Sequence, residues 1–160
     1  MKWRIAEKKD IPLIAKIRMK QLMDEGQKPQ PDIEPALISW FEKAMDENRF
    51  VEWLAEEDGT SAAAGAILFI RFPPEFINPD GMTGYICNIY TAPAFRGQGL
   101  ASRMLSKLEE EARNRKVSHL WLEASRQGRP VYERFGFHVN EKWMELELDL
   151  NPAVHSDSEN

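Results

Sequence analysis

The run Asn88-Ile89-Tyr90-Thr91-Ala92-Pro93-Ala94-Phe95-Arg96-Gly97-Gln98-Gly99-Leu100-Ala101 decides how this chain is read. It opens on the end of a strand predicted over Tyr85 to Thr91, which Pro93 helps to stop because it has no N–H to give to a ladder. From Gly99 to Lys116 a helix is predicted. Leu100, Ala101, Met104, Leu105, Leu108 and Ala112 share one face, and Ser102, Arg103, Lys107, Glu110, Arg113 and Asn114 fill much of the rest. Between strand and helix stand Gly97 and Gly99, which let the main chain take conformations closed to other residues and let a ligand approach the backbone. The free N–H groups and partial positive charge of a helix start follow at once. Such a corner suits an anion of the phosphate type, and Arg96 adds a full charge. A plain strand-turn-helix corner would use the same glycines. Two nucleotide motifs are excluded: the third glycine of G-x-G-x-x-G would fall on Ser102, and no Gly-Lys-Ser/Thr is present for a P-loop.

Upstream, Trp3 to Ile5 reads as a short strand. Asp10 is placed to cap a helix that carries Pro12 in its first turn and Ile11, Ile14, Ala15, Ile17, Leu22 and Met23 along a stripe, with Gly26 ending it. Gln27 to Pro35 is a proline-rich loop, and Ala36 to Glu47 a second helix. Phe50 to Glu56 and Ser61 to Arg71 form a hairpin about Asp58-Gly59. Arg71 to Gly84 is a long loop carrying Phe72, Phe76, Ile77 and Met82. Downstream, His119 to Ala124 is a strand and Gly128 to Arg134 a short helix closed by Gly136. Val139 to Leu150 supplies one or two last strands. The order β-α-α-β-β-β-α-β-α-β(-β) implies a mixed sheet flanked by helices, an α/β (α+β) class. Residues 1–150 read as one domain and 151–160 as a frayed acidic tail.

Composition narrows the function classes. With 160 residues the chain is long enough for one core, and its net charge of −5 argues against non-specific nucleic-acid binding. Cys87 is the single cysteine, and His119, His138 and His155 lack ligand spacing, so neither a disulfide within the chain nor a metal site is expected. The charged start leaves no apolar signal segment, and no run is long enough to span a bilayer. A cytoplasmic protein without membrane or nucleic-acid partners is the expectation; a homodimer is left open.

The run Asn88 to Leu105 resembles motif A of the GNAT N-acetyltransferases, whose loop reads Arg/Gln-x-x-Gly-x-Gly/Ala, here Arg96, Gly99 and Ala101. Val131-Tyr132-Glu133-Arg134-Phe135-Gly136-Phe137 resembles that family's Leu-Tyr-x-x-x-Gly-Phe at the family's distance. The resemblance implies two central strands that splay apart with acetyl-CoA in the wedge. Pantetheine would pair with Ile89, Tyr90 and Thr91. The pyrophosphate would lie on the loop Arg96, Gly97, Gln98, Gly99, Leu100, Ala101 and Ser102. Ser125 and Gly128 would stand where the family often has Asn and Ala, and Pro130 enters the next turn. Arg126 and Arg129 are either phosphate contacts or solvated surface.

The reaction implied is attack of a primary amine, on a small molecule or peptide, at the thioester. Backbone N–H near Ile89 and Tyr90 would face the oxyanion. Tyr132 would hydrogen-bond the leaving sulfur, with full proton transfer only if its environment shifts it; no metal takes part. Glu123, Asp80, Glu75 and a water held by Asn88 are open candidates for the base, and His138 reads as structural. The competing class is an acyl-CoA sensor without turnover, and a screen of amines for thiol release separates the two.

Overall fold

The computed structural model describes residues 1–148. Among these residues five strands form one sheet in the order β1-β2-β3-β4-β5. They are β1 (Lys2–Ile5), β2 (Phe50–Glu57), β3 (Thr60–Arg71), β4 (Met82–Thr91) and β5 (Leu120–Leu122). The first four pair antiparallel, and β4 with β5 pairs parallel. Among the described residues four α-helices flank the sheet: α1 (Ile11–Asp24), α2 (Glu34–Asp46), α3 (Leu100–Asn114) and α4 (Arg129–Phe135).

Both faces of the central strands are buried, and each faces different helices. Val51, Ile67, Phe69 and Ile86 pack with Leu100, Met104, Leu105, Leu108 and Ala112 of α3. Phe50, Leu54, Ala64 and Ala66 pack with Ile14, Ala15 and Ile17 of α1 and Phe41 and Ala44 of α2. Small residues in β3 set how close the helices come. A Cβ at Gly65 would fall 2.4 Å from Met104 Cγ, so glycine there lets α3 lie against the strand. Outside this core, the basic face of α3 covers tryptophans of β1 and β2. Arg103 lies over Trp3 at 5.0 Å and Lys107 over Trp53 at 4.9 Å.

Several details differ from the sequence reading. Asp10 precedes α1 but gives it no side-chain cap. Its carboxylate instead takes the Glu7 N–H and, with Glu56, the Arg4 guanidinium; these bonds to Arg4 hold both carboxyls below their usual range. Strand β4 starts at Met82 rather than Tyr85, which shortens the preceding loop. Asp80 closes that loop by accepting the Met82 N–H. The largest difference lies after Phe137. Residues 139–148 form no strand, and Val139, Trp143, Met144, Leu146 and Leu148 are exposed. Their alternation fits a strand, but a strand needs a ladder partner. Here the segment meets β5 through Trp143 stacked on Trp121, ring centroids 5.5 Å apart. The rest of the expected last strand, and the tail at 151–160, lie outside the described residues. Among the described residues no helix is long and apolar enough to cross a membrane.

Candidate active site

The site begins where the sheet stops being a sheet. Strand β4 pairs with β5 at Gly84, Tyr85 and Ile86, opposite Leu120, Trp121 and Leu122, and no farther. On its other side β4 stays paired with β3 through Thr91, but with a bulge: Ala66 faces Cys87 and Ala64 faces Tyr90, so Asn88 and Ile89 together oppose Gly65. Asn88 takes φ +56°, in the left-handed region that Asn tolerates better than most residues. Beyond Ile86 the outward polar groups of β4, at Asn88 to Thr91, have no strand beside them among the described residues. Ile89, Tyr90 and Thr91 therefore line an opening between β4 and β5.

At the end of that opening the chain passes through a helical turn at Pro93–Phe95 into Arg96 to Gly99 and then α3. Gly97 and Gly99 adopt φ +78° and +74°, and a Cβ on either would meet nothing within 4 Å. Glycine is thus required by conformation, and the space in front of it is clear. No side chain caps α3. Since Arg103 N–H is the first to bond back, to the Gly99 carbonyl, the amides of Leu100, Ala101 and Ser102 stand free. Gln98 and Ser102 are exposed. The Arg96 guanidinium is engaged, donating to the Thr91 carbonyl at 3.0 Å and to Asp24, at the end of α1, at 2.5 Å.

The far wall is α4. Ser125 accepts the Gly128 N–H with its hydroxyl oxygen at 3.1 Å, and its carbonyl accepts from Arg129. It therefore begins the α4 turn while its hydroxyl proton stays available. Gly128 makes room for the Tyr132 ring, since a Cβ there would lie 2.7 Å from Tyr132 Cε2. Tyr132 is buried, packs edge-on to Phe137 at 6.1 Å, and its hydroxyl bonds to no described residue. Burial, with a smaller contribution from Glu25, pushes its phenol up to about 12. Of the candidate phosphate arginines, Arg129 stands 3.8 Å from Glu133.

On the face of the sheet toward α1, Tyr85 lies against Trp121 at 4.4 Å and Trp121 against Trp143. Burial pushes Tyr85 up to about 12, with Glu123 and Glu25 adding to it and Arg18 opposing. Aromatic rings thus line this side, and the Tyr85 hydroxyl feels the charges of Glu123, Glu25 and Arg18. Of the other carboxylate candidates, both in the turn between β3 and β4, Asp80 accepts the Met82 N–H with its side chain, and Glu75 pairs with Asn78 through its backbone. His138 is exposed just past Phe137.

One group the sequence reading missed is Glu52. It is fully buried in β2, and its Oε2 accepts the Asn88 side-chain N–H at 3.3 Å. A signal was present, because Phe50, Glu52 and Leu54 share a face whose other members are core residues. Among the described residues, no cluster of three or more His, Cys, Asp or Glu side chains could hold a metal ion.

Comparison with known proteins agrees with this arrangement. Residues 14–137 match the model of the Acetyltransferase (GNAT) family, and the chain belongs to that family. The fold is also that of a predicted acetyltransferase with acetyl-CoA from Clostridium acetobutylicum, 44% identical over 91% of this chain and 95% of that one, TM-score 0.89. A GCN5-related N-acetyltransferase from Ralstonia eutropha JMP134 shares the fold at 22% identity and TM-score 0.83, covering 91% and 97% of the two chains. A glucosamine 6-phosphate N-acetyltransferase of Trypanosoma brucei brucei is 31% identical over 79 residues, 49% of this chain. The match spans about half of that relative, 54% of its length.

Proposed function

We propose that this GNAT protein is an acetyl-CoA-dependent N-acetyltransferase that acetylates a primary amine of a small molecule or peptide by direct attack on the thioester. The observation that carries the reading is the opening itself. It joins unpaired β4 backbone, a glycine-built helix start with three free amides, and a buried tyrosine with an unpartnered hydroxyl. Acetyl-CoA has parts that match each: an extended amide-bearing arm, a pyrophosphate and a thioester. Ile89, Tyr90 and Thr91 would hold the arm, and Gly97 to Ser102 the pyrophosphate. Ser125 would donate to the arm from the other wall. The acetyl-CoA in the Clostridium relative and the amino-sugar acceptor in the Trypanosoma relative's name support the same class of reaction.

Acetyl-CoA when bound supplies an electrophilic thioester carbonyl. The chain's own groups then have three tasks. An outward β4 amide near Ile89 would donate toward the carbonyl oxygen, held in place by the strand before the reaction. Tyr132 donates its O–H toward the thioester sulfur. With its phenol near 12, handing that proton outright to a thiolate of ordinary pKa near 8.5 is uphill by about 5 kcal/mol. The environment thus shifts Tyr132 away from proton transfer, and it stabilises sulfur by hydrogen bonding. The acceptor must arrive neutral, which for a lysine-like amine costs about 4–5 kcal/mol at pH 7.

Two measurements test the reading. A ligand bound only by the native state stabilises it by about 2.7 kcal/mol at a hundredfold excess over its dissociation constant, so acetyl-CoA should raise the melting temperature and NADH should not. A panel of amines screened for thiol release should then identify an acceptor. Stabilisation by NADH alone, or binding of acetyl-CoA with no thiol released for any amine, would overturn it.

A further inference from the structure

Glu52 sits in the middle of β2 with no exposed surface, and among the described residues its Oε1 has no hydrogen-bond partner. An apolar side chain would be the cheaper occupant of such a place, so the carboxyl calls for a reason. The sheet supplies one. Across the strands Glu52 faces Ala66, and Ala66 faces Cys87. The small Ala66 side chain leaves room for the Glu52 carboxyl to pass over β3 and meet Asn88. Asn88 is the left-handed residue of the β4 bulge, two positions past the last β4–β5 pair at Ile86 and Leu122. A non-glycine residue in that conformation persists when its surroundings hold it, and the described side-chain bond that holds Asn88 comes from Glu52.

We propose that Glu52 is a positioning residue for acetyl transfer: by holding Asn88 it locks the β4 bulge in the conformation that sets the Ile89 amide toward the opening between β4 and β5. The inference rests on the acetyl-transfer reading of that opening. Glu52 touches no reacting atom; it acts through Asn88 and the backbone. Burial pushes its carboxyl up to about 8, against the Asn88 hydrogen bond and the charge of Arg18. The group is therefore mostly neutral at pH 7, and glutamine reproduces its shape, charge and accepting oxygen, whereas leucine keeps bulk and removes the acceptor.

The test reads the thioester carbonyl directly, without needing turnover. Acetyl-CoA labelled with carbon-13 at the acetyl carbonyl is bound to the full chain, and its isotope-edited infrared band is recorded for wild type, Glu52→Gln, Glu52→Leu and Asn88→Ala. Wild type and Glu52→Gln should show the same displacement from the free ligand. In Glu52→Leu and Asn88→Ala it should move back toward the free position, with the acetyl-CoA dissociation constant changed less than threefold. With an accepted amine, kcat should fall at least tenfold in Glu52→Leu and stay within threefold of wild type in Glu52→Gln, the amine KM remaining steady. If Glu52→Leu does not fold, Asn88→Ala decides. An unmoved band in a folded Glu52→Leu or Asn88→Ala protein overturns the proposal, as does a Glu52→Gln protein as impaired as Glu52→Leu. Failure of every amine to react with wild type would instead count against the acetyl-transfer reading, and the infrared arm would still report on Glu52.

Discussion

The two ends of the candidate site are built from opposite materials. The loop from Arg96 to Ser102 is made of main chain: two left-handed glycines, an uncapped helix start and open space in front. The bulge at Asn88 is held by side chains, with Glu52 beneath it inside the sheet. The first kind of site depends on main-chain conformation, which its two glycines supply. The second depends on a buried carboxyl, and so it ties stability and geometry to protonation.

That contrast predicts the largest effect, at Glu52. Its folded pKa, near 8, lies above the ordinary 4.5. Below 4.5 the carboxyl is protonated in both folded and unfolded chains, and its contribution is fully present. Between 4.5 and 8 the unfolded chain ionises while the folded protein does not, so stability falls as pH rises, by about 1.4 kcal/mol per pH unit. Above 8 the loss is complete. Glu52→Gln has no such titration. Denaturant unfolding from pH 4.5 to 8 should show the variant gaining on wild type by a few kcal/mol. A constant difference across that range would mean that Glu52 is ionised in the folded protein.

The loop should respond in the reverse way, through binding and not through pH. Gly99→Pro or Gly99→Val forbids φ +74° and should weaken acetyl-CoA binding at least a hundredfold in calorimetric titration, while the chain stays folded. Undiminished affinity in the folded variant would remove the loop from the site.

The same contrast explains what the sequence made legible. Glycines before an amphipathic helix announce their backbone conformation, so the loop, α3 and the Tyr132 segment could be read from one dimension. Asn88 could not be read as a bulge, because its partner Glu52 is 36 positions away and the strand pattern around it is unbroken. Asp10 looked like a cap because Asp-Ile-Pro is a common helix entry; Arg4, fixed by Glu56 from 52 positions away, took its carboxylate. The alternation from Val139 onward resembles a strand locally, but whether it pairs depends on β5, only three residues long.

Tyr132 joins the two materials, a side chain seated by a glycine. Tyr132→Phe keeps the ring over Gly128 and against Phe137, so folding should survive. The lost O–H matters as sulfur gains charge, so single-turnover rate should fall about ten- to a hundredfold, with cofactor affinity nearly unchanged. The removal of one preorganised donor elsewhere costs about 2.7–4 kcal/mol, an upper bound where water can substitute. A wild-type rate at every pH would make Tyr132 a packing residue.

The smallest effect expected is at Asp24, where the loop touches α1. Its carboxylate holds Arg96 at 2.5 Å, while the Thr91 carbonyl takes the guanidinium from the other side. Both partners are near 40% exposed, at 41% and 42%, so solvent screens the pair and it is worth at most about 1 kcal/mol. If Arg96 serves the pyrophosphate, Asp24 competes with the ligand for the same charge. Asp24→Asn should then tighten acetyl-CoA binding about two- to fivefold at low salt, and the gain should fade as added salt screens the charges. Weaker binding in Asp24→Asn would reverse the assignment: Asp24 would be the group that aims Arg96, and the end of α1 would belong to the loop's own construction.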